Sequence, residues 1–163
     1  FISRRTAFFL SMSIHILAIG KKHEDWVAAG IERYQKRLKM PFMVEWVLLP
    51  HSSLDDSAAR QEESQRLLSR LDGYDYVVLL DERGSTLGSP EVSQLLNMRL
   101  DRSEKIAIII GGAYGVTEEL RQRADTIWSL SPLVFPHQLV RLILVEQIYR
   151  SQEIGRGGKY HHQ

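Results

Sequence analysis

Short apolar runs alternate with longer segments of helical periodicity along most of the chain. The order begins with an apolar run at residues 13–18 and continues through five strand signals. Strand and helix patterns that alternate in this way are typical of a parallel sheet with helical crossovers. We therefore predict a single-domain α/β fold over residues 12–163, built on one parallel sheet.

The predicted strands differ in pattern. Residues 106–110 are apolar without alternation, so we expect a central strand that is covered on both faces. Gly84 and Gly88 predict a loop after the third strand. The five predicted strands cover residues 13–18, 43–49, 76–80, 106–110 and 126–129.

Helix signals lie between and after these strands. Apolar residues recur every three or four positions in residues 24–39, as on one face of a helix. Ser89 with Pro90, and Thr117 before two glutamates, predict capped helix starts. Residues 137–154 are helical in pattern and strongly apolar, which predicts packing on the sheet and on a second subunit. A homodimer is therefore expected.

Composition and charge narrow the chemistry. The chain has 163 residues and no cysteine, which excludes disulfides, Cys-based zinc sites, iron–sulfur clusters and thiol catalysis. His161 and His162 have no carboxylate at ligand spacing, so no metal site is expected. The net charge is +1, yet residues 1–40 carry eight Lys and Arg against three Asp and Glu. This segregation fits either a positive face or ordinary solvated helices.

Residues 1–11 lie ahead of the first predicted strand. Arg4 and Arg5 before an apolar run look like a twin-arginine export signal, but export would remove that strand. We expect an upstream extension or a cloning remnant here, with Met12 as the natural start. No run of about 18 apolar residues is present, so no membrane helix is predicted and a cytoplasmic protein is expected.

Three strand ends are candidate ligand sites, because ligands bind outside the carboxyl ends of parallel strands. These ends are Leu80-Asp81, Gly111-Gly112 and Leu130-Ser131, and we predict that their loops converge. Glycines 111, 112 and 115 would let the backbone approach a ligand closely. Their spacing matches neither a P-loop nor a dinucleotide fingerprint, and a tight turn without a ligand is the alternative.

The last helical segment carries candidate catalytic residues. His137 and Arg141 are four positions apart, about 40° around a helix, and should reach one ligand together. Glu146 and Arg150 share the opposite face and predict a structural or intersubunit ion pair.

The glycine-rich, basic tail contains Arg156, Tyr160 and His161. Its composition favours a frayed terminus. The alternative is a flexible cover whose cations meet phosphates and whose rings stack on an unpaired base or hydrogen-bond to it.

Several motifs, taken in order, resemble one family. They are IGGAYG at 110–115, the loop 130–135, FPHQLVR at 135–141, EQIYR at 146–150 and YH at 160–161, preceded by ILAIGK at 16–21. From Met12 onward the chain resembles the bacterial large-subunit rRNA methyltransferase H family, small SPOUT enzymes that methylate N3 of a pseudouridine in 23S rRNA. The resemblance implies a homodimer, S-adenosylmethionine as cofactor, a C-terminal trefoil knot and a substrate within the assembled 70S ribosome.

The resemblance also implies roles for individual residues. His137 and His161 are candidate bases, Arg141 or Arg156 would stabilise the uracil anion, and Tyr160 would contact the base. The implied cofactor contacts are Leu80, Gly111, Leu130, Ser131, Pro132, Leu133, Val134 and Phe135.

Two alternatives stay open at this point. A SPOUT methyltransferase acting on tRNA would share the cofactor site and accept free RNA. A nucleotide-binding or RNA-binding α/β module would not be an enzyme, and failure to bind S-adenosylmethionine would identify it.

Overall fold

The computed structural model describes residues 14–162. The expected upstream extension at residues 1–11 and the export-signal pattern lie outside the described residues. Within them, no helix is both long and apolar enough to cross a bilayer.

Five strands form one sheet in the order β2-β1-β4-β3-β5, and every neighbouring pair is parallel. This confirms the predicted α/β parallel sheet, while the knot stays a prediction of the resemblance. All five residues of β4 are buried, as its unbroken apolar run predicts. The strands are β1 (Ile14–Ile19), β2 (Val44–Leu49), β3 (Tyr76–Thr86), β4 (Ile106–Ile110) and β5 (Thr126–Ser129).

Helices cover both faces of the sheet, because side chains alternate along each strand and fill two apolar clusters. One cluster contains Val27 of α1, Leu96 of α3 and Leu144 of α5, so these three helices pack on one face. The other cluster contains Leu67 of α2 and Leu120 of α4, which pack on the opposite face. The helices are α1 (Asp25–Gln35), α2 (Asp56–Leu68), α3 (Ser89–Asp101), α4 (Glu118–Arg123) and α5 (His137–Gly155), followed by a 3-10 turn at Tyr160–His162.

The predicted loop at Gly84 is wrong, because β3 continues through it to Thr86. The pairing of β3 with β5 shifts register between Leu80 and Ser85. A Cβ on Gly84 would lie 2.6 Å from the carbonyl carbon of Ile127, so only glycine allows the strands this close.

The two predicted helix starts have different outcomes. The Thr117 side chain accepts a hydrogen bond from the Leu120 N–H, which confirms this residue as a cap. Ser89 is not a cap, because Gly88 occupies the N-cap position. The Ser89 hydroxyl instead donates to the Gln147 side chain at 2.7 Å and joins α3 to α5.

Candidate active site

The loops after β4 and β5 and the middle of β3, at residues 80–83, meet the first turn of α5 around a cleft of about 460 Å³. The three segments expected to converge therefore do so, although Leu80-Asp81 lies inside β3 and not in a loop. A volume of this size is typical of sites for small organic ligands and cofactors.

Seven of the eight implied cofactor residues line this cleft, and Pro132 does not. Leu133 and Val134 are 69% and 81% exposed at its rim. The roles of these residues in cofactor binding stay predictions. The seven are Leu80, Gly111, Leu130, Ser131, Leu133, Val134 and Phe135.

The glycine turn after β4 brings backbone to the cleft wall. Gly112 and Gly115 form an antiparallel bridge, and Gly115 has a φ of +78°, which favours glycine. A Cβ on Gly111 would lie 2.7 Å from a Val116 methyl group, which also lines the cleft. The wall thus has no room for a side chain at position 111.

The cleft wall contains an ion pair that the sequence analysis did not predict. Asp81 lies within β3 at the register shift, and its carboxylate is 2.5 Å from a guanidinium nitrogen of Arg121, with each side chain about one-tenth exposed. Apolar Trp128 and Val140 complete much of the wall. This mixture of apolar surface, backbone polar groups and a fixed carboxylate fits S-adenosylmethionine, which carries an apolar ring, ribose hydroxyls and a cationic centre.

Glu63 on α2 is another residue that the sequence analysis missed. It is only 3% exposed and accepts a hydrogen bond from the Ser52 N–H at 2.9 Å. Its other carboxylate oxygen has no hydrogen-bond partner among the described residues and lies against Gly112, where a Cβ would overlap it. A glutamate among the polar residues of α2 gives no sequence signal of this burial.

His137 lines the cleft, and its pKa is lowered below the ordinary histidine value. Surrounding protein disfavours the charged imidazolium first, and the nearby Arg141 guanidinium adds repulsion. The ring is therefore neutral at physiological pH and can accept a proton.

Arg141 does not share that ligand site, contrary to the expectation from helical spacing. Its side chain is turned into the protein and is 1% exposed. One guanidinium nitrogen donates to the carbonyls of Ile19 and Gly20 at 3.0 Å each, and another donates to the carbonyl of Lys22 at 3.2 Å. Helical spacing predicts the angle of a side chain around the helix axis, but it does not predict how deeply the side chain is buried. Here the buried Arg141 side chain holds the loop after β1 in place.

The other three candidate catalytic residues lie toward the far end of α5. The Tyr160 hydroxyl donates to Glu146 at 3.1 Å, and burial raises the Tyr160 pKa. His161 lies 3.4 Å from the Arg150 guanidinium, and Arg156 is half-exposed near Glu153. The expected frayed tail is wrong for Tyr160 and His161, which contact Tyr149 and Arg150 of α5.

The predicted pair of Glu146 and Arg150 is present as an ion pair at 2.7 Å within the chain. In the described part of the chain, no group of three or more His, Cys, Asp or Glu side chains is placed to hold a metal ion.

Known proteins with similar sequences and folds agree on a class. A family model described as predicted SPOUT methyltransferase matches residues 12–161. A probable methyltransferase from Bordetella pertussis has the same fold, with a TM-score of 0.55, 17% identity and coverage of 89% of this chain and 98% of that one. The chain is therefore a SPOUT methyltransferase, a class of enzyme for which S-adenosylmethionine is the methyl donor.

Curated relatives define the particular family. Proteins named ribosomal RNA large subunit methyltransferase H from Desulfitobacterium hafniense and Symbiobacterium thermophilum are 37% and 39% identical, each covering 92% of this chain and 99% of the relative. The chain belongs to the ribosomal RNA large subunit methyltransferase H family and is an enzyme.

The lowered pKa of His137 predicts a pH dependence. A neutral imidazole is needed to accept a proton, so methyl transfer should fall as pH drops through the lowered pKa, below about 6.5. His137→Asn should lower kcat about 100-fold and remove this acidic limb from the pH profile. Single-turnover rates between pH 5 and 8 would measure both effects. An acidic limb that persists unchanged in the variant would exclude His137 as the base.

Proposed function

We propose that this enzyme methylates N3 of a pseudouridine in 23S rRNA on the assembled 70S ribosome, and therefore acts in the cytoplasm. Relatives carrying the name ribosomal RNA large subunit methyltransferase H support the rRNA substrate. The observation that carries the chemistry is His137, a neutral proton acceptor on the wall of the cofactor cleft.

Each part of the cleft then has a task. S-adenosylmethionine supplies a methyl group on a sulfonium, which is electrophilic without further activation. The glycine turn and most of the loop from Leu130 to Phe135 line the cleft and would hold the cofactor there. His137 would accept the proton that the imide N3–H loses, and the N3 electron pair would form the new bond to the methyl carbon. The sulfur–methyl bond would break with its electron pair left on sulfur, so that the leaving group is the neutral thioether S-adenosylhomocysteine.

The tail residues support a homodimer as the active form. His137 and Arg150 are separated by about 20 Å along α5, and His161 lies against Arg150. His137 and His161 of one chain therefore cannot contact the same base in this arrangement. If the tail acts in catalysis, it does so at the cleft of a second subunit.

Apolar surface beside the cleft favours the same assembly. Leu133 and Val134 are largely exposed, while Leu139 and Ile143 on α5 are only half-buried. Together they provide apolar area that a second copy would cover.

A mixing experiment tests the shared site. His161→Ala should lower methyl transfer and leave the affinity for S-adenosylmethionine unchanged, because in this proposal the residue contacts the target base and not the cofactor. Mixing inactive His137→Asn and His161→Ala chains and allowing subunit exchange should restore about one quarter of wild-type activity, since half of the dimers then contain one intact composite site. Mixtures that stay inactive would show that each chain works alone.

Transfer of labelled methyl decides the substrate. We expect label in 70S ribosomes and none in protein-free rRNA or tRNA, with N3-methylpseudouridine identified by nucleoside mass spectrometry. Label in tRNA would overturn the proposed substrate and leave the SPOUT methyltransferase class intact.

A further inference from the structure

The carboxyl edge of the sheet has a second half, beside the cofactor cleft. The loops after β1 and β2 end there, and the pairing of Ala18 with Ile110 places the loop after β1 next to the glycine turn. Four exposed basic side chains lie along this half. We call them the basic edge: Lys21 and Lys22 after β1, His51 after β2, and Arg60 on α2.

The lysines are held in a fixed place relative to His137. The Lys22 carbonyl accepts hydrogen bonds from the side chains of Gln138 at 3.1 Å and Arg141 at 3.2 Å. Gln138 also accepts from the Glu24 N–H at 3.0 Å. The first turns of α5 therefore present His137 to the cleft and fasten the lysine loop at the same time.

Arg60 belongs to the same surface. Its guanidinium Nε donates to the Tyr114 carbonyl at 2.8 Å, within the glycine turn. The basic edge thus borders the turn on the side away from the loop of residues 130–135. An extended ligand that lies across the basic edge would therefore reach the cleft directly.

Exposed carboxylates limit this surface at two places, and the first is formed by Glu24 and Asp25, directly after the lysine loop. Glu24 accepts a hydrogen bond from the Trp26 indole at 2.6 Å, and Glu63 is buried. Asp55 and Asp56 lie at the start of α2, beside the Tyr114 hydroxyl, and limit the surface there. Two exposed aromatic rings belong to the same region: Trp26, 54% exposed, shortly after the lysines, and Tyr114, 38% exposed, in the turn that Arg60 contacts.

Exposed cations interspersed with aromatic rings are the composition that binds single-stranded nucleic acid. We propose that the basic edge binds the backbone phosphates of the RNA strand that flanks the target nucleotide, while the target base enters the cleft at His137. This inference rests on the proposed function, because it takes RNA as the substrate. Phosphate contacts of this kind fix the register of the strand and carry no sequence information.

The test compares two double variants with equal loss of charge. Lys21→Ala/Lys22→Ala removes two cations from the basic edge and keeps the backbone groups that hold the loop. Arg70→Ala/Arg123→Ala removes two exposed cations from the opposite edge of the sheet. Both are assayed for methyl transfer to 70S ribosomes over a range of KCl concentrations, and for binding of S-adenosylmethionine by calorimetry.

We expect the lysine variant to raise the KM for ribosomes about 10-fold and to reduce the slope of log affinity against log salt by about 1.4, as for two lost phosphate contacts. Its affinity for S-adenosylmethionine should not change, Lys21→Arg/Lys22→Arg should retain wild-type KM, and the arginine variant should match wild type. An unchanged KM and salt slope, or equal losses in both alanine variants, would overturn the proposal.

Failure of the proposed function gives a different result. Wild-type enzyme that transfers no methyl to ribosomes would refute the substrate. The role of the basic edge in RNA binding could then still be tested, by measuring the salt-dependent binding of the same variants to a single-stranded RNA oligonucleotide. A lysine variant that binds this RNA as tightly as wild type would contradict the proposed role.

Discussion

Gly111→Val should weaken S-adenosylmethionine binding about 100-fold, or about 2.7 kcal/mol, and bring methyl transfer below detection. A Cβ at this position would already lie 2.7 Å from a Val116 methyl group, and both residues line the cleft. The larger side chain must displace Val116 or occupy space that the cofactor needs. Calorimetric titration with S-adenosylmethionine measures the affinity, and thermal unfolding measures the effect on the fold.

A second variant separates the two consequences. Adding Val116→Ala to Gly111→Val removes the methyl group that the new side chain meets, so part of the lost stability should return. Affinity should stay low, because the valine still occupies the wall of the cleft. Wild-type affinity in Gly111→Val would show that the cofactor binds elsewhere.

Arg141→Met should lower the free energy of unfolding by about 3 kcal/mol. The side chain is 1% exposed and donates hydrogen bonds to the carbonyls of Ile19, Gly20 and Lys22. Methionine fills similar volume but leaves these buried acceptors without their donors. Arg141→Lys should recover little, because one ammonium cannot replace the two branches of a guanidinium. Urea unfolding at constant m-value measures the change.

Arg156→Met is the matched control. Arg156 is half-exposed and 3.9 Å from the nearest Glu153 oxygen, so its loss should change stability by less than about 0.5 kcal/mol. An Arg141→Met protein with wild-type stability and no methyl transfer would instead support a catalytic role for Arg141.

Local pattern was enough to predict the sheet. Apolar runs of strand length placed all five strands, and the unbroken run of β4 placed it in the sheet interior. The long apolar segment placed α5 correctly from His137. The extension of β3 could not be predicted, because Gly84 serves a backbone contact with Ile127, more than 40 residues away.

The location of the cleft was predictable, and the burial of the side chains around it was not. The carboxyl-end rule selected the three chain segments that line the cleft. Helical spacing placed His137 and Arg141 near each other, but only tertiary packing decides that one faces the cleft and the other the core. Asp81 and Arg121 come together from different elements, and no local signal pairs them.

Hydrogen bonds from α5 hold the loop after β1, and these long-range contacts affect how the chain folds. Arg141 and Ile19 are 122 residues apart in sequence, and Gln152 binds Lys39 across a separation of 113 residues. Contacts this distant slow folding, because a large loop must close before they form. During synthesis the loop after the first strand therefore lacks its fixed position until α5 has been made, and this loop and the cleft wall at His137 become ordered together, late in folding.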